Sequence, residues 1–211
     1  PNNSIATAPK TNYIYLEKNE TYKIEVEYYF EARFPAIHFG CMPPEKENLL
    51  EEAIKTSREA DAVILIVGTN SDWETEGNDR SELALPADQD KLIESVIKEN
   101  ANTVVVINSG SPVSMPWIND SNAILQSWFG GQEYGNALAD LIFGEINPSG
   151  KLPTTFPVQI EDTPAFDYYP GKNSQMNYEE KLLIGHRWYE RKGKKPPVSY
   201  THLRAHETTC H

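Results

Sequence analysis

VILIVGTNSDWETEGNDRSELALPADQ, residues 63–89, is the stretch on which the fold turns. Val63 to Val67 are all apolar, and the run stops at Gly68. A short apolar run of this kind reads as a fully buried strand of the sort a parallel sheet uses. Pro86 is placed to open the helix that follows, since proline is tolerated in a first helical turn. In an open α/β sheet, ligands and chemistry gather at loops leaving the C-terminal ends of the strands. Asp72, Trp73, Glu74, Glu76, Asp79 and Arg80 are therefore the first residues to consider for function.

Downstream the same rhythm repeats. Asp88 to Asn100 sets Leu92, Ile93, Val96 and Ile97 on one helical face, and Thr103 to Ile107 is a second buried strand. Ala123 to Trp128 makes a third, ending at Gly130-Gly131, and Tyr134 to Phe143 is a helix stopped by Gly144. Just upstream, Glu45 to Ala60 carries Leu49, Leu50, Ala53, Ile54 and Ser57 at helical spacing. Helices alternating with short β-branched strands predict an α/β fold, a mostly parallel sheet flanked by helices as a three-layer sandwich. Three such strands are few for a doubly wound domain, so an earlier portion is expected upstream. After Asn147–Gly150, residues 152–156 read as extended and 161–177 as loop.

Residues 1–43 are different material. Tyr13–Leu16 and Thr21–Tyr28 alternate apolar and polar residues around a turn at Glu17–Glu20, and Ala36–Phe39 is a third short run. Alternation predicts a short N-terminal antiparallel β segment, the end of a truncated β-sandwich, because three strands bury little core. Pro43-Pro44 marks a boundary, with the α/β domain at 44–196. The end, residues 197–211, has neither helical nor strand period and reads as a non-native tail. With Pro1 in place of an initiator Met, the chain reads as a processed form or a fragment.

At 39% apolar and 24% charged residues, the composition is that of an ordinary globular chain. The net charge of −12 leaves no basic stripe for nucleic acid or for an anionic membrane surface. No apolar run approaches the roughly 20 residues that span a bilayer, and the N-terminus carries no leader pattern. Cys41 and Cys210 are far apart, and the five histidines lack HExxH spacing, so no metal site is read. No motif points to a cofactor.

The chemistry on offer is acid–base. A carboxylic acid that donates a proton near neutral pH needs burial or a neighbouring carboxylate to hold it. Trp73 beside Glu74 and Glu76 supplies both influences, Gly77 permits an unusual backbone, and Arg80 is placed to pair with Asp79 or Glu82. On composition alone, a solvated acidic loop capping a strand explains these residues more readily than catalysis. Ser109-Gly110-Ser111 fits neither a nucleophile elbow nor a phosphate loop and reads as a turn. Gly130-Gly131 reads as close backbone packing, and His186 as a packed or partly exposed side chain.

Taken in order, DAVILIVG, WETEGNDRSELALPADQDKLI, VVVINSGSPVSMPWI and AILQSWFGGQEYGNALADLIFGEINPSGKLPTTFP resemble glycoside hydrolase family 3. They are similar to its C-terminal α/β-sandwich domain as found in β-glucosidases, and YEEKLLIGHRWYE resembles that domain's closing region, over residues 45–192 in all. YKIEVEYYFEARFPAIHFGCMPP resembles the end of a protective-antigen-type β-sandwich inserted in some members. The resemblance implies a retaining β-glycosidase acting on an oligosaccharide or β-glucoside. Two carboxyls about 5 Å apart would then act as nucleophile and acid/base. The nucleophile would be an Asp on a preceding (β/α)8 barrel. The acid/base Glu of the family's EGxDR pattern falls on Glu76, with Trp73 and Glu74 as loop neighbours and Asp79 and Arg80 as braces.

Two departures qualify this. The chain contains no barrel, so by itself it is expected to be inactive. The family's closing FGxGLSYT-like segment survives only as Ser199-Tyr200-Thr201. Two other readings stay open: a non-catalytic carbohydrate-binding or scaffold domain, and a β-xyloside in place of the glucoside.

Overall fold

β-branched residues favour a pleated, packed surface, and three such runs build one parallel sheet. The computed structural model describes residues 12–27, 29, 39–41, 48–77, 79–173 and 175–196. It divides into two units, residues 1–45 and 46–211. In the second, the described elements are α1 (Leu49–Glu59), β1 (Val63–Gly68), α2 (Gln89–Glu99), β2 (Thr103–Asn108), β3 (Ala123–Gln126), α3 (Tyr134–Ile142) and α4 (His186–Lys192), with short 3-10 turns at Ile118–Asp120 and Ile160–Asp162. The strands lie in the order β1-β2-β3, all parallel, with Gly68 level with Asn108 and Ile107 level with Gln126. Loops leaving β1 and β2 therefore start side by side on one edge of the sheet.

The first two helices carry acidic residues in their first turns and basic ones in their last, as the helix dipole favours: Glu51 and Glu52 against Arg58 in α1, Asp90 against Lys98 in α2. Asn100, just past α2, donates from Nδ2 to the carbonyls of Ser57 (2.9 Å) and Ala60 (2.7 Å), which stitches the ends of α1 and α2 together. Ile93 and Ile97 of α2 pack with Val67, Val105 and Ile107 of the sheet, and with Val113, Met115, Trp117, Leu152 and Phe156. Full burial of one such side chain is worth about 1.5–3 kcal/mol. On the other side of the sheet, Leu141 and Ile142 of α3, with Pro148, line an apolar hollow beside Val104, Ala123 and Leu125. Helices thus flank both faces, and α3 ends ahead of Gly144 in a left-handed turn (φ 80°).

Three expectations change. β1 is not buried on both faces: Ile64 is 46% and Ile66 56% exposed, because α2 covers the opposite face and α3 lies beside β3. The helix α2 starts at Gln89 rather than at Pro86, because Ala87 takes a left-handed backbone (φ 54°) and the Gln89 side chain is engaged elsewhere. Residues 152–156 run without helix, bending at Pro153 and Thr154 before Phe156 enters the core.

Among the described residues, Tyr13–Leu16 and residues 21–27 have no strand pairing, although the turn is present, with the Glu20 amide donating to Glu17 O at 3.3 Å and Asn19 at φ 67°. Tyr13 is 97% exposed, and a two-stranded ribbon with no covered face gains too little from its ladder to hold it. The third run, at 36–39, falls outside the described residues except for Phe39, and the tail at 197–211 falls wholly outside them.

Candidate active site

The loop after β1 is built from a turn that asparagine favours. Asn70 Oδ1 accepts the Asp72 amide (3.0 Å), and Asn70 O accepts the amides of Trp73 (3.0 Å) and Glu74 (2.9 Å). The turn reverses the chain and carries Glu74 back over the strand ends. There its Oε1 accepts from Thr69 Oγ1 at 2.5 Å and from the Gly110 amide at 3.1 Å, so one carboxylate joins the β1 loop to the β2 loop. Gly110 is needed for this contact, because a Cβ there would stand 2.6 Å from Glu74 Oε2 and 2.8 Å from the Phe129 ring. The far foot of the loop is held as well. Gln89 accepts the Gly68 amide at 2.8 Å and donates to Gly68 O at 2.9 Å and Pro86 O at 3.0 Å.

Arg80 makes a second bridge between the loops. Its Nη1 donates to Ser111 Oγ (2.8 Å) and Pro112 O (3.1 Å), while Nε and Nη2 are buried without a hydrogen-bond partner among the described residues. Burial pulls the guanidinium below its ordinary pKa, and the charges of Glu74 and Glu82 oppose that shift. The expected pairing of Arg80 with Asp79 or Glu82 does not form among the described residues; Arg80 reaches the neighbouring strand's loop because the parallel register sets that loop beside it. Asp79 instead accepts a hydrogen bond from the Tyr169 hydroxyl at 2.9 Å. Trp73 is half-buried, with its indole N–H enclosed and without a partner among the described residues.

Glu76 differs from all of these. Its side chain is exposed, and among the described residues no hydrogen bond or ion pair holds it. Gly77 next to it has φ 78°, a conformation that residues with a Cβ rarely adopt. The five residues to which the resemblance gives a role thus lie on one strand-end loop: Glu74 and Arg80 tied inward, Asp79 tied sideways, Trp73 half-covered and, among the described residues, Glu76 free. Sequence reading missed Thr69, Gln89, Gly110, Ser111 and Tyr169. The one available signal was that adjacent parallel strands release their loops on the same edge, which makes the Asn108–Ser111 turn a natural neighbour of Glu74. Among the described residues, no group of acidic, His or Cys side chains is arranged to hold a metal ion.

Residues 4–189 match the family model described as the glycosyl hydrolase family 3 C-terminal domain. A putative beta-glucosidase of Schizosaccharomyces pombe is 40% identical over 196 residues, covering 87% of this chain and 24% of that protein. A probable beta-glucosidase I of Aspergillus flavus is 43% identical over 157 residues, covering 74% and 19% respectively. The chain thus spans about a quarter or less of the length of these relatives. Among solved structures, the beta-glucosidase of Kluyveromyces marxianus in complex with glucose superimposes with a TM-score of 0.69 at 39% identity, over 72% of this chain and 18% of that one. A GH3 beta-glucosidase of Bifidobacterium adolescentis gives a TM-score of 0.69 at 40% identity, over 76% and 24%.

Proposed function

The chain belongs to glycosyl hydrolase family 3, and from that premise we propose that it contributes the general acid/base of a retaining β-glucosidase, with Glu76 as that residue. The observation that carries the reading is the contrast within one loop: Glu74 is consumed by internal bonds, whereas Glu76 stands free between two anchored points. In this reading the nucleophile lies on a (β/α)8 barrel elsewhere in the longer polypeptide, and the two carboxyls meet across one sugar about 5 Å apart. Glu76 protonates the glycosidic oxygen as the nucleophile forms the glycosyl-enzyme; it then takes a proton from the water that releases β-glucose. Trp73, Asp79 and Arg80 shape the loop and do not react. The isolated chain is inactive, since both groups must be held against one substrate.

Kinetics in the full-length polypeptide provide the test. Glu76→Gln should slow alkyl glucosides, whose leaving groups need protonation, by about 100- to 10,000-fold, and activated aryl glucosides far less. Azide should restore turnover by attacking the glycosyl-enzyme without a general base. Equal loss on both substrate classes, without azide rescue, rejects the role. Calorimetry separates the rival reading of a sugar-binding module, which requires sub-millimolar binding of glucose or cellobiose by the 211-residue chain alone.

A further inference from the structure

The loop that carries Glu76 is fixed on one side by Glu74, two residues away, and on the other by Asp79 and Arg80, three and four residues away. A residue spans at most about 3.6 Å of chain, so the anchor at Asp79, three residues on, lies within about 11 Å of chain of Glu76. Gly77, in its left-handed conformation, is the pliable point between them. How well Glu76 is aimed therefore depends on how firmly residue 79 is held.

The group that holds it comes from 90 residues further along the chain. Tyr169 sits on a braced support. Its amide and that of Tyr168 both donate to Ala165 O at 2.9 Å, and the Phe166 amide donates to Thr163 O at 3.3 Å. Before these, the Thr163 hydroxyl closes the 160–162 turn by donating to Ile160 O at 2.7 Å. After them, Lys172 and Gln175 exchange a pair of backbone bonds at 3.0 Å each. Asp162, at the head of the segment, pairs with Lys194 beyond α4. Tyr169 is 51% exposed, so core packing does not account for a tyrosine here; the hydroxyl is the part that makes a long-range bond.

Resting on the acid/base reading above, we propose that Tyr169 is a positioning residue whose hydroxyl, bonded to Asp79 Oδ2, aims the Glu76 loop at the glycosidic oxygen. The hydrogen bond to Asp79 and the negative charge of its carboxylate also raise the phenol above its ordinary pKa, which gives the contact a signature of its own.

Both the contact and its consequence can be measured. In the 211-residue chain labelled at tyrosine Cζ, the Tyr169 resonance should titrate above the usual value of about 10, and Asp79→Ala should return it there. In the full-length polypeptide, Tyr169→Phe should lower kcat on alkyl glucosides about 10- to 100-fold, the scale expected of an ångström-level misplacement. Activated aryl glucosides should keep their rate, and Tm should hold. Asp79→Ala should reproduce that pattern, the double variant should be no worse than either single one, and Asp79→Asn, which keeps an acceptor oxygen, should rescue most of the rate. Equal loss on both substrate classes, no loss, an additive double variant or an ordinary Tyr169 titration overturns the proposal. Glu76→Gln run alongside tells the two ideas apart. If it discriminates between leaving groups and Tyr169→Phe does not, the tether fails alone. If Glu76→Gln does not discriminate, the acid/base reading fails, whatever the Tyr169 titration shows.

Discussion

The core beneath α2 and the loop after β1 belong to the same sheet but are held by opposite means. Ile93, Val105 and Val113 have no measurable exposure, and Ile107 has 1%; their association is non-directional and follows from apolar area alone. The loop is held by a few directed bonds: Glu74 to Thr69 and Gly110, Arg80 to Ser111 and Pro112, Asp79 to Tyr169, and Gln89 to Gly68. The first kind of holding fixes how stable the unit is. The second fixes where particular side chains point.

The contrast can be broken from either side. The largest effect is expected in the core. Ile93→Ala should lower the unfolding free energy by about 2–5 kcal/mol in a denaturant titration, while amide spectra of residues 69–80 keep their pattern. A loss of that size with a scrambled loop would show that the two regions are not separable. Glu74→Ala should cost less, about 1–3 kcal/mol, because it strips Thr69 and Gly110 of one acceptor. Its signature is increased hydrogen exchange at Gly110 and through the 70–80 loop with α2 unaffected; protection unchanged at Gly110 would mean the bridge carries little. The smallest effect is at the exposed carboxyl, where Glu76→Gln should leave stability within about 0.5 kcal/mol. A larger change would reveal a structural partner for Glu76 and weaken its assignment to chemistry.

The periodic parts of the chain were legible without coordinates. The apolar runs at 63–67 and 103–107 became β1 and β2, and the spacing of Ile93, Val96 and Ile97 became the buried stripe of α2. Legibility failed where a side chain's partner is distant in sequence. Pro86 looked like a helix start, but the two-way clamp of Gln89 on Gly68 makes 86–88 a turn. Residues 13–16 and 21–27 have strand-forming side chains yet no ladder, since propensity is realised only against a covering face.

Local order thus determined by itself that this is a parallel α/β unit, and that an acidic loop follows its first strand. It also carried the EGxDR pattern that singles out Glu76. Only the tertiary structure decided which carboxylate of that loop is tied down and which is left free. That choice depends on Gly110, Ser111 and Tyr169, residues brought to the loop by strand register and by a braced turn 90 positions away. A hydrogen bond needs both partners within about 3 Å, and no pattern within one segment states where a partner from another will be.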